Sequence, residues 1–159
     1  MSAIELLLAD AEATEALGAA LARDLPTRAV VLLHGDLGAG KSTLARALLR
    51  ALGVRGAIRS PTYTLVERYP IEGGEALHLD LYRIGDPGEL EFLGIAADEG
   101  RLWLVEWPQR GAGALPPADL AIELALDGAG RRARLTPHSP IGGEWLAAVD
   151  VNKMLPAPE

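Results

Sequence analysis

A glycine-rich segment in the first third of the chain carries the residue types that hold phosphate groups. It reads Gly35-Asp-Leu-Gly-Ala-Gly-Lys-Ser42 and follows the pattern G-x-x-x-x-G-K-[ST]. Glycines let backbone N–H groups approach phosphate oxygens closely, and the positive end of a following helix adds to the attraction. Lys41 would bring a mobile positive charge to the β- and γ-phosphates, and the Ser42 hydroxyl would ligate Mg²⁺. The segment therefore predicts a site for ATP and Mg²⁺. The residues expected to contact the nucleotide here are Asp36, Leu37, Gly38, Ala39, Gly40, Lys41, Ser42 and Thr43.

Two acidic residues are candidates for holding the magnesium ion. Glu106 directly follows the apolar run Leu102-Trp-Leu-Val105, so it should lie at the carboxyl end of a buried strand, where ligands bind in open α/β sheets. Asp80 ends a shorter apolar stretch. We expect Glu106 to ligate the metal, and Asp80 to act on the water around the metal or on the attacking water, although the roles could be exchanged. With Lys41, these are the predicted catalytic residues.

Other polar residues give weaker signals. Thr62 follows a proline in the loop after the predicted phosphate-binding helix, where it could sense the γ-phosphate or simply belong to a turn. Of the three histidines, His34 begins a loop expected to be buried, and His78 and His138 have no partner at the spacing of metal ligands. Structural roles are therefore favoured for all three.

The elements around the glycine-rich segment have the pattern needed to position it. Residues 29–34 form a continuous apolar run, which is typical of a strand covered on both faces of a parallel sheet. Residues 42–52 then place apolar side chains on one face of a predicted helix that ends at Gly53. A short strand at 4–9 and a helix at 11–25 precede them.

The rest of the chain predicts further strands and two hairpins. A β-branched and aromatic stretch at 60–69 and a second stretch at 76–82 flank Gly73-Gly74 and indicate an antiparallel hairpin. A short helix should begin after Asp86 and end near Gly94. A strand at 101–107 and a hairpin built from 120–126 and 131–135 follow.

Together these elements predict an α/β protein with a single-domain P-loop NTPase fold. A mostly parallel central sheet would be flanked by helices and extended by antiparallel hairpins. Residues 1–137 should form the ATPase domain, and residues 138–159 a C-terminal tail that is partly helical and then frayed.

Composition narrows the classes of function. The 159 residues are 49% hydrophobic and 23% charged, as expected for a globular domain, and contain no cysteine for disulfides or thiolate metal sites. No basic N-terminal region or membrane-length apolar run is evident, so we expect a cytoplasmic protein. The net charge of −7 argues against direct binding to DNA, RNA or anionic membranes.

Five motifs, in this order along the chain, resemble a known family. They are Gly35-Asp-Leu-Gly-Ala-Gly-Lys-Ser42, Ser60-Pro-Thr-Tyr-Thr-Leu-Val66, Leu79-Asp-Leu-Tyr-Arg83, Glu89-Leu-Glu-Phe-Leu-Gly94 and Val105-Glu-Trp-Pro108. The chain resembles the TsaE (YjeE-like) family, the bacterial P-loop ATPases of tRNA threonylcarbamoyladenosine (t6A) biosynthesis, to about Arg134.

The resemblance implies a function beyond phosphate binding. Family members hydrolyse ATP in support of a complex that threonylcarbamoylates adenosine 37 of tRNA. The resemblance implies two paralogous partner proteins, one of which carries the transferase site, and contact with tRNA only through them. It also implies that Thr14 lies near the nucleotide, and that Arg131 or Arg134 approaches it. Hydrolysis by the isolated chain should be slow, because the phosphate loop contains no arginine that could act on the γ-phosphate.

Two other functions remain open from the residues alone. A small-molecule kinase would use the same loop, although no arginine-rich lid segment is evident. A binding module could use the nucleotide only to order a switch loop. No Asn-Lys-x-Asp guanine motif is present, which favours adenine. Aromatic residues that could anchor a partner, or instead fill the core, are Tyr63, Tyr69, Phe92 and Trp107.

Overall fold

Seven strands form one mixed sheet in the computed structural model, which describes residues 2–149. Their order across the sheet is β1-β7-β6-β2-β5-β4-β3. The four inner strands β6, β2, β5 and β4 run parallel, whereas β7, β1 and β3 join through antiparallel pairs. This confirms the predicted α/β fold with hairpins added to a parallel centre. The strands are β1 (Ile4–Leu8), β2 (Ala29–His34), β3 (Val66–Ile71), β4 (Gly74–Asp80), β5 (Leu102–Glu106), β6 (Leu120–Asp127) and β7 (Gly130–Pro137).

Within residues 2–149, three α-helices and two short 3₁₀ helices accompany the sheet. The α-helices are α1 (Ala11–Arg23), α2 (Lys41–Ala51) and α3 (Pro140–Ala148), and the 3₁₀ helices are Pro87–Leu93 and Pro108–Gly111. Asp10 caps α1 by accepting a hydrogen bond from the Ala13 N–H, which satisfies one of the unpaired donors at the helix start. The Pro87–Leu93 helix begins after Asp86 and ends at Gly94, as predicted.

A separate apolar cluster packs against each face of the sheet. Alternation along β5 sends Leu104 into the larger cluster with α1 and α2, while Trp103 and Val105 enter the smaller cluster on the opposite face. By the same alternation Glu106 falls on the face of Leu104. The carboxylate at the end of β5 therefore lies on the side of the sheet that carries α2.

The hairpin of β3 and β4 differs in extent from its prediction. A strand was expected from residue 60, but β3 begins only at Val66, and residues 61–64 form turns. Leu65 has a φ of 69°, in the left-handed region, so the chain cannot continue through it as a strand. The preceding loop is thereby free to fold over the end of β4, where the Leu65 carbonyl accepts a hydrogen bond from the Asp80 N–H.

The C-terminal hairpin and α3 complete the described residues. β6 and β7 pair antiparallel as predicted. α3 contributes Trp145 to the larger apolar cluster, and the indole Nε1–H donates to the Leu21 carbonyl at 3.1 Å. The predicted frayed segment lies outside the described residues, and the proposed boundary at residue 137 stays a prediction. Within residues 2–149, the helices are all too short or too polar to cross a membrane.

Candidate functional site

The glycine-rich segment wraps tightly between β2 and α2. Gly35 has a φ of 145°, and a Cβ built there would lie 2.5 Å from the Leu124 carbonyl oxygen, so only glycine fits. The loop then turns back through a hydrogen bond from the Ala39 N–H to the Asp36 carbonyl at 3.1 Å. Leu37 is exposed at the tip of the loop, and Ala39 is buried beneath it. The predicted strand, loop and helix are confirmed.

The first turn of α2 is open to an anion. Gly40 precedes the helix and offers no side chain to cap it, and the first turn has no acidic residue. This contrasts with α1, where Asp10 caps the helix and Glu12 lies in the first turn. The free N–H groups and the positive dipole end of α2 therefore have no acidic or capping side chain from the first turn beside them. A helix start of this kind is suited to binding phosphate.

Lys41 is buried at the start of α2, with 5% of its surface exposed. Its Nζ donates a hydrogen bond to the Gly35 carbonyl and lies 3.8 Å from the centroid of the Trp107 ring. Burial lowers the pKa of Lys41, and the negative charges of Glu106, Asp80 and Asp36 act in the opposite direction. The ammonium group thus faces the loop, held by a carbonyl and an aromatic face.

The two predicted carboxylates are neighbours at the end of adjacent strands. Asp80 of β4 and Glu106 of β5 are paired in register. Glu106 Oε1 lies 3.3 Å from Ser42 Oγ, whereas Asp80 accepts hydrogen bonds from Thr62 Oγ1 at 3.2 Å and from the Tyr82 N–H at 3.0 Å. Glu106 therefore faces the helix start, and Asp80 faces the Thr62 loop.

The oxygens of Ser42 and Glu106 suit a magnesium ion. Mg²⁺ takes one or two protein oxygens and completes its octahedron with phosphates and water, and two ligands about 3 Å apart can share one ion. No group of three or more His, Cys, Asp or Glu residues is arranged as a metal cage within the part of the chain that the structure describes. A site of this kind would depend on the nucleotide for its remaining ligands.

His78 is a site residue that the sequence reasoning missed, since it favoured a structural role for every histidine. The His78 Nε2 lies 2.6 Å from Glu106 Oε2, and both side chains are only 3% exposed. A usable signal was present: His78 precedes Asp80 by two positions on a strand, so the two side chains point to the same face of the sheet.

A second part of the site lies between α1 and the β6–β7 turn. Thr14, Gly40, Thr43 and Arg131 all line a cleft of about 140 Å³ beside the loop. Arg131 Nη2 donates to the Gly38 carbonyl at 3.3 Å. The structure thus brings together Thr14 and Arg131, which only the family resemblance had pointed to.

Arg134 is not brought to this cleft. Side chains alternate along β7, so Arg134 projects from the face opposite to Arg131. Its Nη1 donates to Glu5 Oε1 at 3.1 Å, and both side chains are about half exposed.

The aromatic residues divide between surface and interior. Tyr63 and Phe92 are 83% and 90% exposed, whereas Tyr69 is 8% exposed. Of the two roles left open for Tyr69, the structure supports the core role, because its ring is buried and its hydroxyl bonds the backbone of Arg59. Trp107 lies under Lys41 and beside the Tyr82 ring, with 4.9 Å between the ring centroids.

A glycine-rich loop between a central parallel strand and a helix, with carboxylates at the ends of the adjacent strands, places the chain in the P-loop class of α/β folds. A family model described as "Threonylcarbamoyl adenosine biosynthesis protein TsaE" matches residues 8–134. The chain therefore belongs to the TsaE family.

Similar proteins agree with this assignment. The tRNA threonylcarbamoyladenosine biosynthesis protein TsaE of Haemophilus influenzae is 43% identical over 121 residues, which cover 75% of this chain and 77% of the relative. The protein of the same name from Aquifex aeolicus is 40% identical over 134 residues, which cover 82% and 94%. The crystal structure of Bacillus subtilis YdiB superposes with a TM-score of 0.77 over 96% of this chain and 97% of that one. At 23% identity, YdiB shows a shared fold.

Proposed function

We propose that this chain binds and slowly hydrolyses Mg·ATP in support of the threonylcarbamoylation of adenosine 37 in tRNA. The relatives that are 40–43% identical are named for tRNA threonylcarbamoyladenosine biosynthesis. The observation that carries the ATPase part is the Ser42 hydroxyl, which lies 3.3 Å from Glu106 at the open start of α2. A hydroxyl and a carboxylate at that place are what a nucleotide-bound magnesium ion requires.

Each side chain of the site has a role in this proposal. The N–H groups at the start of α2 bind the β-phosphate, and Lys41 Nζ moves from the Gly35 carbonyl to the β and γ oxygens. Ser42 and Glu106 hold the metal, which when bound neutralises charge on the phosphates. Asp80, with Thr62 hydrogen-bonded to it, is placed to orient the attacking water.

The base and ribose are proposed to occupy the cleft beside the loop. Thr14 and Thr43 offer hydroxyl groups there, and Arg131 provides a positive charge next to the phosphate loop. The small size of the cleft, about 140 Å³, fits part of a nucleoside and leaves the rest to solvent or to a partner.

Partner proteins complete the proposal. We propose that two paralogous tRNA-modification proteins, one carrying the transferase site, bind this chain in the cytoplasm and contact tRNA on its behalf, with no direct binding to DNA or membranes. The net charge of −7 disfavours direct contact with a polyanion. The exposed rings of Tyr63 and Phe92 are of the kind that anchors protein contacts.

A complementation experiment tests the function. Cells depleted of this protein should lose threonylcarbamoyladenosine from tRNA, measured by mass spectrometry of digested nucleosides. The wild-type chain should restore the nucleoside, and Lys41→Ala should not. Unchanged tRNA after depletion would contradict the proposed role.

A hydrolysis experiment separates the remaining alternatives. Phosphate release by the purified chain should be slow and should rise when the two partner proteins are added. Phosphorylation of a small metabolite, at a rate far above phosphate release, would instead indicate a kinase. Nucleotide-dependent partner binding without any hydrolysis would indicate a switch module.

A further inference from the structure

His78 is a buried polar side chain with no place in the steps described above. Its ring lies on β4, one strand away from Glu106, on the face of the sheet that carries α2. The ring Nε2 is 2.6 Å from Glu106 Oε2. Because carboxylate oxygens carry only lone pairs, the ring nitrogen is the donor in this contact.

The burial of this ring is not explained by packing alone. No group among residues 2–149 hydrogen-bonds the Nδ1 atom of His78, which is also buried. A buried polar atom without a partner destabilises the fold, and an apolar side chain at this position would avoid that cost. The contact with Glu106 is therefore the feature of this position that an apolar residue could not reproduce.

The contact distinguishes the two oxygens of Glu106. Ser42 Oγ lies at similar distances from both, 3.3 Å from Oε1 and 3.5 Å from Oε2, and so does not by itself choose between them. The terminal torsion of a glutamate is broad and allows the carboxylate to rotate. His78 binds Oε2 alone, which leaves the lone pairs of Oε1 directed toward the Ser42 hydroxyl.

We propose that His78 is a positioning residue that holds Glu106 Oε2 so that Oε1 is presented to the nucleotide-bound magnesium ion. This inference rests on the proposed Mg·nucleotide function. Residues that hydrogen-bond a metal ligand in this way fix its orientation, and their loss typically weakens metal binding by about 10–100-fold.

Three variants test the geometry of this contact. His78→Leu removes the donor while filling much of the space. His78→Gln keeps an amide N–H near the position of Nε2, whereas the shorter amide of His78→Asn does not reach Glu106 Oε2. His138→Leu makes the same chemical change at an exposed histidine and serves as the matched control. Thermal unfolding of each variant verifies that it is folded.

The measurement is the affinity for ADP by titration calorimetry, with Mg²⁺ and with EDTA. We expect His78→Leu and His78→Asn to lose about tenfold or more of the Mg²⁺-dependent gain in affinity, with binding in EDTA unchanged. His78→Gln and His138→Leu should retain the gain within about threefold. If His78→Leu does not fold, the comparison of Asn with Gln gives the same test, since both are amides and differ only in reach.

The possible outcomes distinguish a failure of this inference from a failure of the proposed Mg·nucleotide function. A wild-type chain that shows no Mg²⁺-dependent binding of ADP would refute the proposed function and the inference with it. A wild-type chain that binds Mg·ADP, with His78→Leu and His78→Asn showing the same Mg²⁺ dependence, would refute the role of His78 alone. Equal losses of the Mg²⁺-dependent gain in His78→Asn and His78→Gln would also contradict this role, because the position of the donor would then be irrelevant.

Discussion

Gly18 lies in α1 where that helix packs on α2, and its replacement by alanine tests the contact that sets the distance between the two helices. A Cβ at this position would lie 2.7 Å from the Ala47 Cβ and 2.8 Å from the backbone nitrogen of Leu48. A methyl group cannot rotate out of the way, and a backbone atom cannot move without moving its helix. Gly18→Ala should therefore push α1 and α2 apart.

Two effects of opposite sign determine how much Gly18→Ala changes the free energy of unfolding. Alanine is favoured over glycine inside a helix by about 1 kcal/mol. Overpacking typically costs about 1–3 kcal/mol, and we expect the upper half of that range because both contacts are below 3 Å and rigid. The net loss in the free energy of unfolding is about 1–2 kcal/mol, which lowers Tm by about 2–8 °C for a chain of this size.

Unfolding by urea and by heat, followed by far-UV circular dichroism, measures this loss. Gly85→Ala is the matched control, because a Cβ there meets no described atom within 4 Å, and its stability should be unchanged or slightly higher. Since Thr14 of α1 and Thr43 of α2 line the same cleft, Gly18→Ala should also weaken ADP binding. A Gly18→Ala protein as stable as the native chain would refute the packing argument.

Three further predictions concern the site and its surroundings. Lys41→Met should weaken ADP binding by about 10–100-fold in calorimetry, because a charge-assisted hydrogen bond contributes about 1.5–3 kcal/mol. The methionine should fill the buried space, so Tm should not fall. Glu106→Gln should reduce the Mg²⁺ dependence of ADP binding more than Asp80→Asn does, because the Glu106 carboxylate lies 3.3 Å from the Ser42 hydroxyl, which is proposed to ligate the metal. The reverse order would exchange the proposed roles of Glu106 and Asp80. Burial lowers the pKa of His34 below 6.5, so the unfolded chain binds a proton there first and stability falls as the pH drops below that value. His34→Asn should therefore lose less stability between about pH 7 and pH 5 in urea titrations, and an equal loss would contradict this.

The sequence pattern predicted those elements whose conformation depends on residues close together in the chain. The glycine-rich segment, the run 29–34 before it and the helix after it were all recognisable, because each depends on consecutive residues and their immediate neighbours. The start and end of the Pro87–Leu93 helix followed from a cap and a glycine in the same way. The strand expected from residue 60 was wrong in its extent, because the left-handed turn at Leu65 was not visible in the residue pattern.

Contacts across the sheet could not be predicted to the same degree. Both carboxylates were identified as strand ends, but which of them meets Ser42 depends on the register of β4 against β5 and on the position of α2. The family resemblance offered Arg131 and Arg134 as equal candidates. Strand alternation then placed only Arg131 on the face of the glycine-rich loop.

The amino-acid sequence alone determined that a glycine-rich loop with the phosphate-binding pattern lies between β2 and α2, because eight adjacent residues encode its backbone conformation and its charges. Tertiary structure decided which distant groups surround that loop. The contact between His78 and Glu106 joins residues that are 28 positions apart, and it forms only because burial of the apolar cluster sets two parallel strands in one register. The chemical groups of a side chain depend on the residue type alone. Which groups lie next to that side chain depends on how the whole chain buries its apolar surface.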